Sequence, residues 1–198
     1  MTKESQVVSN AVLLPDRYMI TGKFDQPETL FYKVERALWE GVRLIQFRAP
    51  WFEQSDYLLL AEQLSLKVSE RGGTLIIKGD VSLLQESWCQ GLHLTSAQLE
   101  AGMQAVNKRP DQWVVASCHN DRQLKLASGL GVDFVTLSPV QQTLCHPEAV
   151  PIGWQSAARL TSRASVPVYW LGGLNGTDLD KAHVAGAQGI AAIGAFWN

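Results

Sequence analysis

Two pairs of polar side chains occur at the ends of apolar segments. Within each pair the two residues are two positions apart. Gln46 and Arg48 end the segment "LIQFR", and Ser117 and His119 end the segment "VVASCH". Side chains two apart in a strand share a face, so each pair would project from one side. Arg48 could bind a phosphate in a bidentate geometry, and His119 could transfer a proton near neutral pH. The alternatives are an ion pair with a neighbouring helix for Arg48, and a helix cap or a structural role for His119.

Two glycine sites near the end of the chain raise a second question of chemistry. Gly172 and Gly173 follow the apolar run "VPVYWL", and Gly194 and Ala195 follow "GIAAI". Backbone N–H groups free of side chains can approach an anion closely. We therefore expect the two sites to form one phosphate-binding cup; the alternative is that the glycines merely permit tight turns between strand and helix.

Further polar residues would reach the same region. Lys78 is the only charge in "TLIIKG", and the segment "SPVQQTLCHPEAVPIG" carries Thr143 and His146. That segment is long for a connection between a strand and a helix, so we expect it to close over a ligand. His93 lies in the middle of "GLHLT", where a buried supporting role is expected.

These residues are positioned by short strands that alternate with helical segments. Eight strand-like runs cover 17–22, 42–49, 74–79, 91–95, 113–119, 133–140, 166–173 and 189–196. Such alternation predicts parallel pairing and an α/β fold, here a single-domain (β/α)8 TIM barrel over 17–198 after an N-terminal extension, 1–16. In this fold the carboxyl ends of the strands form the active site, and the loops after strands 7 and 8 often bind phosphate. The alternative is an open doubly wound sheet, although no G-x-G-x-x-G follows the first strand.

The helical segments are bounded by proline and glycine. We expect helices over 27–41, 53–71, 82–90, 96–106 and 177–186, with Thr177 as the N-cap of the last and Gly186 as its stop.

The composition excludes several classes of function. The 198 residues are 46% hydrophobic and 18% charged, with a net charge of −2. Such a chain has no general attraction to nucleic acid or to anionic membranes. Neither a signal peptide nor a membrane-spanning run is found, and the three cysteines form no C-x-x-C pair. A cytoplasmic protein without a disulfide framework or a metal site is therefore expected.

Taken together, the segments resemble the thiamine monophosphate synthase and thiazole tautomerase superfamily. The similar segments span about 17–196 and read "LIQFRAP", "LIIKGDV", "GLHLTSAQL", "ASCH", "GVDFVTLSPVQQT", "PIGW" and "GGLNGTDL…AGAQGIAAIGAF". The synthase joins a pyrimidine pyrophosphate to a thiazole phosphate, and the tautomerase isomerises the thiazole phosphate. The resemblance implies that Gly173, Gly194 and Ala195 hold the thiazole phosphate. It also implies that Gln46, Arg48 and Thr143 lie near the pyrimidine pyrophosphate, and that His119 stands where the tautomerase has its proton-transferring histidine.

The sequence departs from the synthase pattern where that enzyme binds magnesium. The two aspartates of the pattern are replaced by Gly79 and Gln98, and the asparagine before the first is Lys78. Asp80 stands one position after the first of the two aspartate positions. Elsewhere in the pattern, two lysines are replaced by Pro50 and His146. Mg²⁺ is therefore expected only if synthase activity is retained with an altered site, and Lys78 could fill part of the vacated space.

From the sequence the first expectation is thus a tautomerase-like isomerase without a metal, in which His119 moves the proton and Ser117 assists. The first alternative is a Mg²⁺-dependent thiamine-phosphate synthase. The second is a non-catalytic binding module that partners a Nudix-type hydrolase, since the resemblance includes domains fused to such hydrolases. The sequence leaves a homo-oligomer open.

Overall fold

Eight parallel strands form a closed barrel in the computed structural model, which describes residues 14–102, 106–143 and 147–197. The strands are β1 Arg17–Ile20, β2 Leu44–Phe47, β3 Thr74–Ile77, β4 Gly91–Leu94, β5 Trp113–Cys118, β6 Phe134–Leu137, β7 Val168–Leu171 and β8 Gly189–Ala192. Each lies within a predicted run, and most end two or three residues earlier. The last residues of the runs therefore form the rim of the barrel.

The pairing of the first strand with the last closes the barrel. Tyr18 of β1 lies opposite Leu44 of β2 on one side and Ala191 of β8 on the other, with both pairings parallel. The predicted (β/α)8 barrel is confirmed, and the alternative of an open sheet is wrong.

Alternation along the strands separates an inner core from an outer one. The buried residues that fill the barrel are Tyr18, Ile20, Leu44, Ile76, Val115, Phe134, Tyr169 and Ala191. Intervening positions, such as Ile45, Phe47 and Cys118, pack outward against the helices. Apolar side chains thus fill the barrel toward the amino-terminal ends of the strands. Polar side chains such as Gln46 and His93 lie toward the carboxyl ends.

Six α-helices are described: α1 Pro27–Trp39, α2 Gln54–Glu70, α3 Ser96–Glu100, α4 Asp121–Leu130, α5 Gly153–Thr161 and α6 Leu179–Val184. In α1, Pro27 stands at the first position, and Leu30, Val34, Ala37 and Leu38 form its buried face.

Three details of the predicted helices are wrong. The segment 82–90 contains only a 3₁₀ helix, Val81–Gln85, and α3 ends at Glu100 rather than at 106. Thr177 is not a cap: Asn175 accepts its N–H and starts the 3₁₀ turn Gly176–Asp178 that leads into α6. The asparagine side chain supplies the cap because it reaches two residues ahead. Gly186 does follow the end of α6, as expected.

Residues 14–16 of the predicted N-terminal extension lie at the amino-terminal end of the barrel. The N–H of Ile190 donates to the carbonyl of Asp16 at 3.0 Å, and the hydroxyl of Tyr169 donates to the carbonyl of Pro15. The boundary at residue 17 stays a prediction. Among the described helices, none combines the length and the apolar character needed to cross a bilayer.

Candidate functional site

A cavity of about 940 Å³ opens at the carboxyl ends of the strands. It gathers ten of the residues singled out from the sequence, namely Gln46, Arg48, Lys78, His93, Ser117, His119, Thr143, Gly172, Gly173 and Gly194. Ala195 is next to the lining residue Gly194 but is not itself part of the lining. His146 lies outside the described residues.

Gln46 and Arg48 face the cavity from β2, as the alternation predicts. Gln46 is 2% exposed, and its Nε2 has no hydrogen-bond partner among the described residues. A buried donor without a partner is costly, so this amide is available to a polar ligand atom. The backbone of Arg48 is fixed by the Thr21 hydroxyl, which accepts from its N–H at 2.8 Å and donates to its carbonyl at 3.1 Å.

Lys78 follows β3 and is fixed next to the end of β2 by a tyrosine of α2. The Tyr57 hydroxyl donates to the carbonyl of Phe47 at 3.1 Å and accepts from the N–H of Lys78 at 2.9 Å. Its ring stacks on Phe47 with a centroid distance of 4.7 Å. Burial, and then the charge of Arg48, lower the pKa of the Lys78 ammonium. Tyr57 thereby holds the two cation-bearing strand ends together.

A buried histidine connects the floor of the cavity to Ser117. The Nε2 of His93 lies 2.8 Å from the Ser117 Oγ, and its Nδ1 lies 3.1 Å from the Tyr18 hydroxyl. Burial, with a smaller contribution from Lys78, lowers the pKa of His93 to about 3. The imidazole is therefore neutral and orients the Ser117 hydroxyl, in keeping with the supporting role expected for His93.

His119 stands at the rim with one ring nitrogen fixed. Its Nδ1 lies 2.7 Å from the Ser138 carbonyl, which only accepts hydrogen bonds. The Nδ1 must therefore carry the proton and donate, which in the neutral ring leaves Nε2 as the proton acceptor. The backbone N–H of His119 donates to Gln123 Oε1 at 2.7 Å, which fixes the residue at the start of α4.

The two glycine sites differ in the reason for glycine. Gly172 and Gly173 have positive φ angles of 103° and 65°. A Cβ at Gly173 would overlap the carbonyl oxygen of Gln142, so close packing against the loop after β6 requires glycine there. A Cβ at Gly194 would meet no atom within 4 Å. The turn interpretation therefore accounts for the first site alone, whereas the second is open to the cavity.

None of the amides of Gly172, Gly173, Gly194 and Ala195 donates a hydrogen bond to another described residue. Free amides are what an anion site needs. The phosphate cup stays a prediction.

The loop after β6 forms one wall of the cavity. Gln142, Thr143, Glu148 and Val150 line it. That the loop closes over a ligand stays a prediction. Glu148 is the only carboxylate among the described lining residues.

The residues at the magnesium positions of the synthase pattern do not fit that metal. A Cβ at Gly79 would overlap Cδ1 of Leu83, so an aspartate here would displace that side chain. The Nε2 of Gln98 donates to the carbonyl of Gly79 at 3.1 Å, which joins the two positions without a charge. Asp80 caps the following turn by accepting from the N–H of Ser82 at 2.9 Å, and it does not line the cavity. Within the described ranges, no three His, Cys, Asp or Glu side chains cluster as a metal site.

Sequence reasoning missed several residues that shape the site. Ser138 follows Phe134 and Thr136 at two-residue spacing, so alternation along β6 would have found it. Tyr57 carries no such signal, because only the docking of α2 brings its hydroxyl to the ends of β2 and β3.

Known proteins resemble this chain in sequence and in fold. The model of the family described as thiamine monophosphate synthase matches residues 17–196. A protein of Aquifex aeolicus named "Putative thiamine-phosphate synthase 2" is 32% identical over 186 residues, which cover 92% of this chain and 98% of the relative. A thiamine-phosphate synthase of Lactococcus lactis is 27% identical over 167 residues, 81% of this chain and 76% of that protein.

Among solved structures, a thiamine phosphate pyrophosphorylase from Pyrococcus furiosus has a similar fold. The TM-score is 0.73 at 22% identity, over 91% of this chain and 86% of that one. At this identity the likeness concerns the fold.

Proposed function

Because the chain belongs to the thiamine monophosphate synthase family, we propose that it joins a pyrimidine pyrophosphate to a thiazole phosphate and releases pyrophosphate. One observation carries the proposal: the cavity has two separate groups of hydrogen-bond donors of the kind that suit anions. Free amides follow β7 and β8, and Arg48 and Lys78 stand at the ends of β2 and β3. A single phosphorylated ligand needs only one such group, whereas this reaction needs both.

Each group of residues has one task in the reaction. The amides near Gly173 and Gly194 hold the thiazole phosphate. Arg48 and Lys78 hold the pyrophosphate and stabilise the charge that it gains as its bond to the pyrimidine methylene breaks. The thiazole nitrogen forms the new bond to that carbon. Orientation of the two rings in the cavity therefore contributes to the rate enhancement.

The pyrimidine would lie between the two anion sites. The unpartnered Nε2 of Gln46 donates to a ring acceptor, and the Ser117 hydroxyl, oriented by His93, contacts the ring from β5. These polar atoms surround the floor of the cavity and fix one orientation of the heterocycle.

The test is a direct assay of the purified chain with both phosphorylated substrates, with and without Mg²⁺. We expect thiamine phosphate and pyrophosphate in equal amounts, and at least a 100-fold loss of kcat/KM in Arg48→Met. Lys23→Met, an exposed lysine outside the cavity, is the control and should leave the rate unchanged. Binding of both substrates without any product would overturn the proposal.

A second candidate is the isomerisation first expected from the sequence. The observation in its favour is the tautomer of His119, whose Nε2 is left free to take a proton from a ring carbon. If this is the reaction, the chain isomerises thiazole phosphate alone, and His119→Asn abolishes turnover while the Kd changes less than about 3-fold. The relatives named as synthases favour the joining reaction. A Nudix-type hydrolase partner and self-association stay predictions.

A further inference from the structure

Two cations, Arg48 and Lys78, share one side of the cavity. Neither Arg48 nor Lys78 takes part in an ion pair with a described residue. Glu148, the acidic residue of the lining, comes from the loop after β6 on the other side. Two half-buried like charges repel each other, so their placement is costly unless an anion binds between them.

The backbone next to these cations is held by side chains from three neighbouring segments. Thr21, directly after β1, holds the backbone of Arg48, Tyr57 of α2 holds that of Lys78, and Gln98 of α3 holds the carbonyl of Gly79. Three segments thus keep the ends of β2 and β3 in place before a ligand arrives. Such preorganisation is what a binding site needs.

We propose that Lys78, together with Arg48, takes the place of a divalent cation and binds pyrophosphate without a metal. The proposal rests on the proposed function for the identity of the anion. It follows from the donor set, since the positions where the family pattern has aspartates carry Gly79 and Gln98, joined to each other by a hydrogen bond.

The chemistry of the two side chains suits this task. Arg48 presents a planar fork that matches two phosphate oxygens, and the Lys78 ammonium is a compact charge with three donors. In a partly enclosed cavity the attraction is screened less than at the surface. A bound anion also favours the protonated form of Lys78, which opposes the effect of burial and of Arg48.

The experiment is calorimetric titration of the intact chain with inorganic pyrophosphate, in EDTA and in excess Mg²⁺. We expect binding in EDTA, with a Kd that Mg²⁺ improves less than about 3-fold. Lys78→Met should weaken binding in EDTA at least 10-fold, and Lys23→Met, the matched control, should leave it within 2-fold. Tyr57→Phe keeps every charge but frees the Lys78 backbone, and it should weaken binding about 3-fold to 10-fold.

Three results would overturn the inference. These are binding by the wild type that requires Mg²⁺, no binding of pyrophosphate at all, and a Lys78→Met variant that behaves like the control. Melting curves of each variant show that it is folded.

The experiments distinguish a failure of this inference from a failure of the proposed function. Metal-free pyrophosphate binding without product formation supports the inference and contradicts the joining reaction. Product formation that strictly requires Mg²⁺ supports the joining reaction and contradicts the inference.

Discussion

Two histidines of the cavity behave differently because their surroundings differ. His93 is 2% exposed and contacts two hydroxyl groups, so it stays neutral and orients Ser117. His119 stands at the exposed rim with Nδ1 bound to a backbone carbonyl. The first is a positioning residue, and only the second has a free nitrogen for proton transfer.

The burial of His93 predicts a loss of stability in acid. Burial lowers the pKa of His93 from the usual 6.5 to about 3, so below pH 6.5 the unfolded chain binds a proton that the folded chain does not. Stability should therefore fall between pH 6.5 and 3 by about 1.4 kcal/mol per pH unit from this residue. Urea unfolding at several pH values measures this slope.

The His93→Gln variant is the control for this dependence of stability on pH. This variant is less stable at neutral pH, because it loses packing and hydrogen bonds, but its stability should depend less on pH across the same range. Parallel curves for the two proteins would show that His93 does not carry the effect.

At the scale of elements, the loops after β6 and β7 pack together while the turn after β8 stays open. Gly173 lies against the carbonyl of Gln142, whereas Gly194 has free space on its Cβ side. The predicted cup therefore has one side fixed by packing and one side accessible to ligand.

This difference predicts opposite results for two alanine variants. Gly173→Ala should lower the free energy of unfolding by about 2–4 kcal/mol, because it combines a positive φ with steric overlap. Gly194→Ala should change it by less than about 0.5 kcal/mol yet weaken thiazole phosphate binding at least 5-fold. Gly129→Ala, another open glycine away from the cavity, is the control for the binding measurement. Equal stability of the two cup variants would contradict the packing argument.

Tyr57 connects α2 to two strand ends through one hydroxyl group. Tyr57→Phe leaves the N–H of Lys78 without its acceptor, and we expect a loss of about 1–3 kcal/mol in urea unfolding. Tyr32→Phe on the exposed face of α1, 66% exposed, should have no measurable effect. If the two variants have the same stability, the hydroxyl does not join the strands.

At the scale of the whole molecule, the closed barrel brings residues from distant parts of the chain to one rim. Parallel strands all end on the same side, so β2 and β3 contribute cations and β7 and β8 contribute amides. The proposed function therefore uses two anion sites at separate places in one cavity.

If the two anion sites are separate, two ligands should stabilise the protein additively. At 100 times its Kd, each ligand should contribute about 2.7 kcal/mol, which corresponds to a Tm increase of roughly 5–10 °C for a chain of this size. Thiazole phosphate and pyrophosphate together should give close to the sum of their separate shifts. A shift no larger than that of the better ligand alone would show that both compete for one site.

The amino-acid sequence by itself determined the number and order of the strands, the closure expected from eight repeats, and the inward placement of Gln46, Arg48, Ser117 and His119. These features depend on two-residue alternation and on local chain signals, which a sequence displays directly. Only the tertiary structure decided that Tyr57 joins two strand ends, that His93 orients Ser117, and that Leu83 and Gln98 occupy the surroundings of Gly79. Tyr57 and Gln98 reach these positions only when α2 and α3 pack on the closed barrel, and His93 meets Ser117 only when β4 pairs with β5, so no local sequence pattern encodes these contacts.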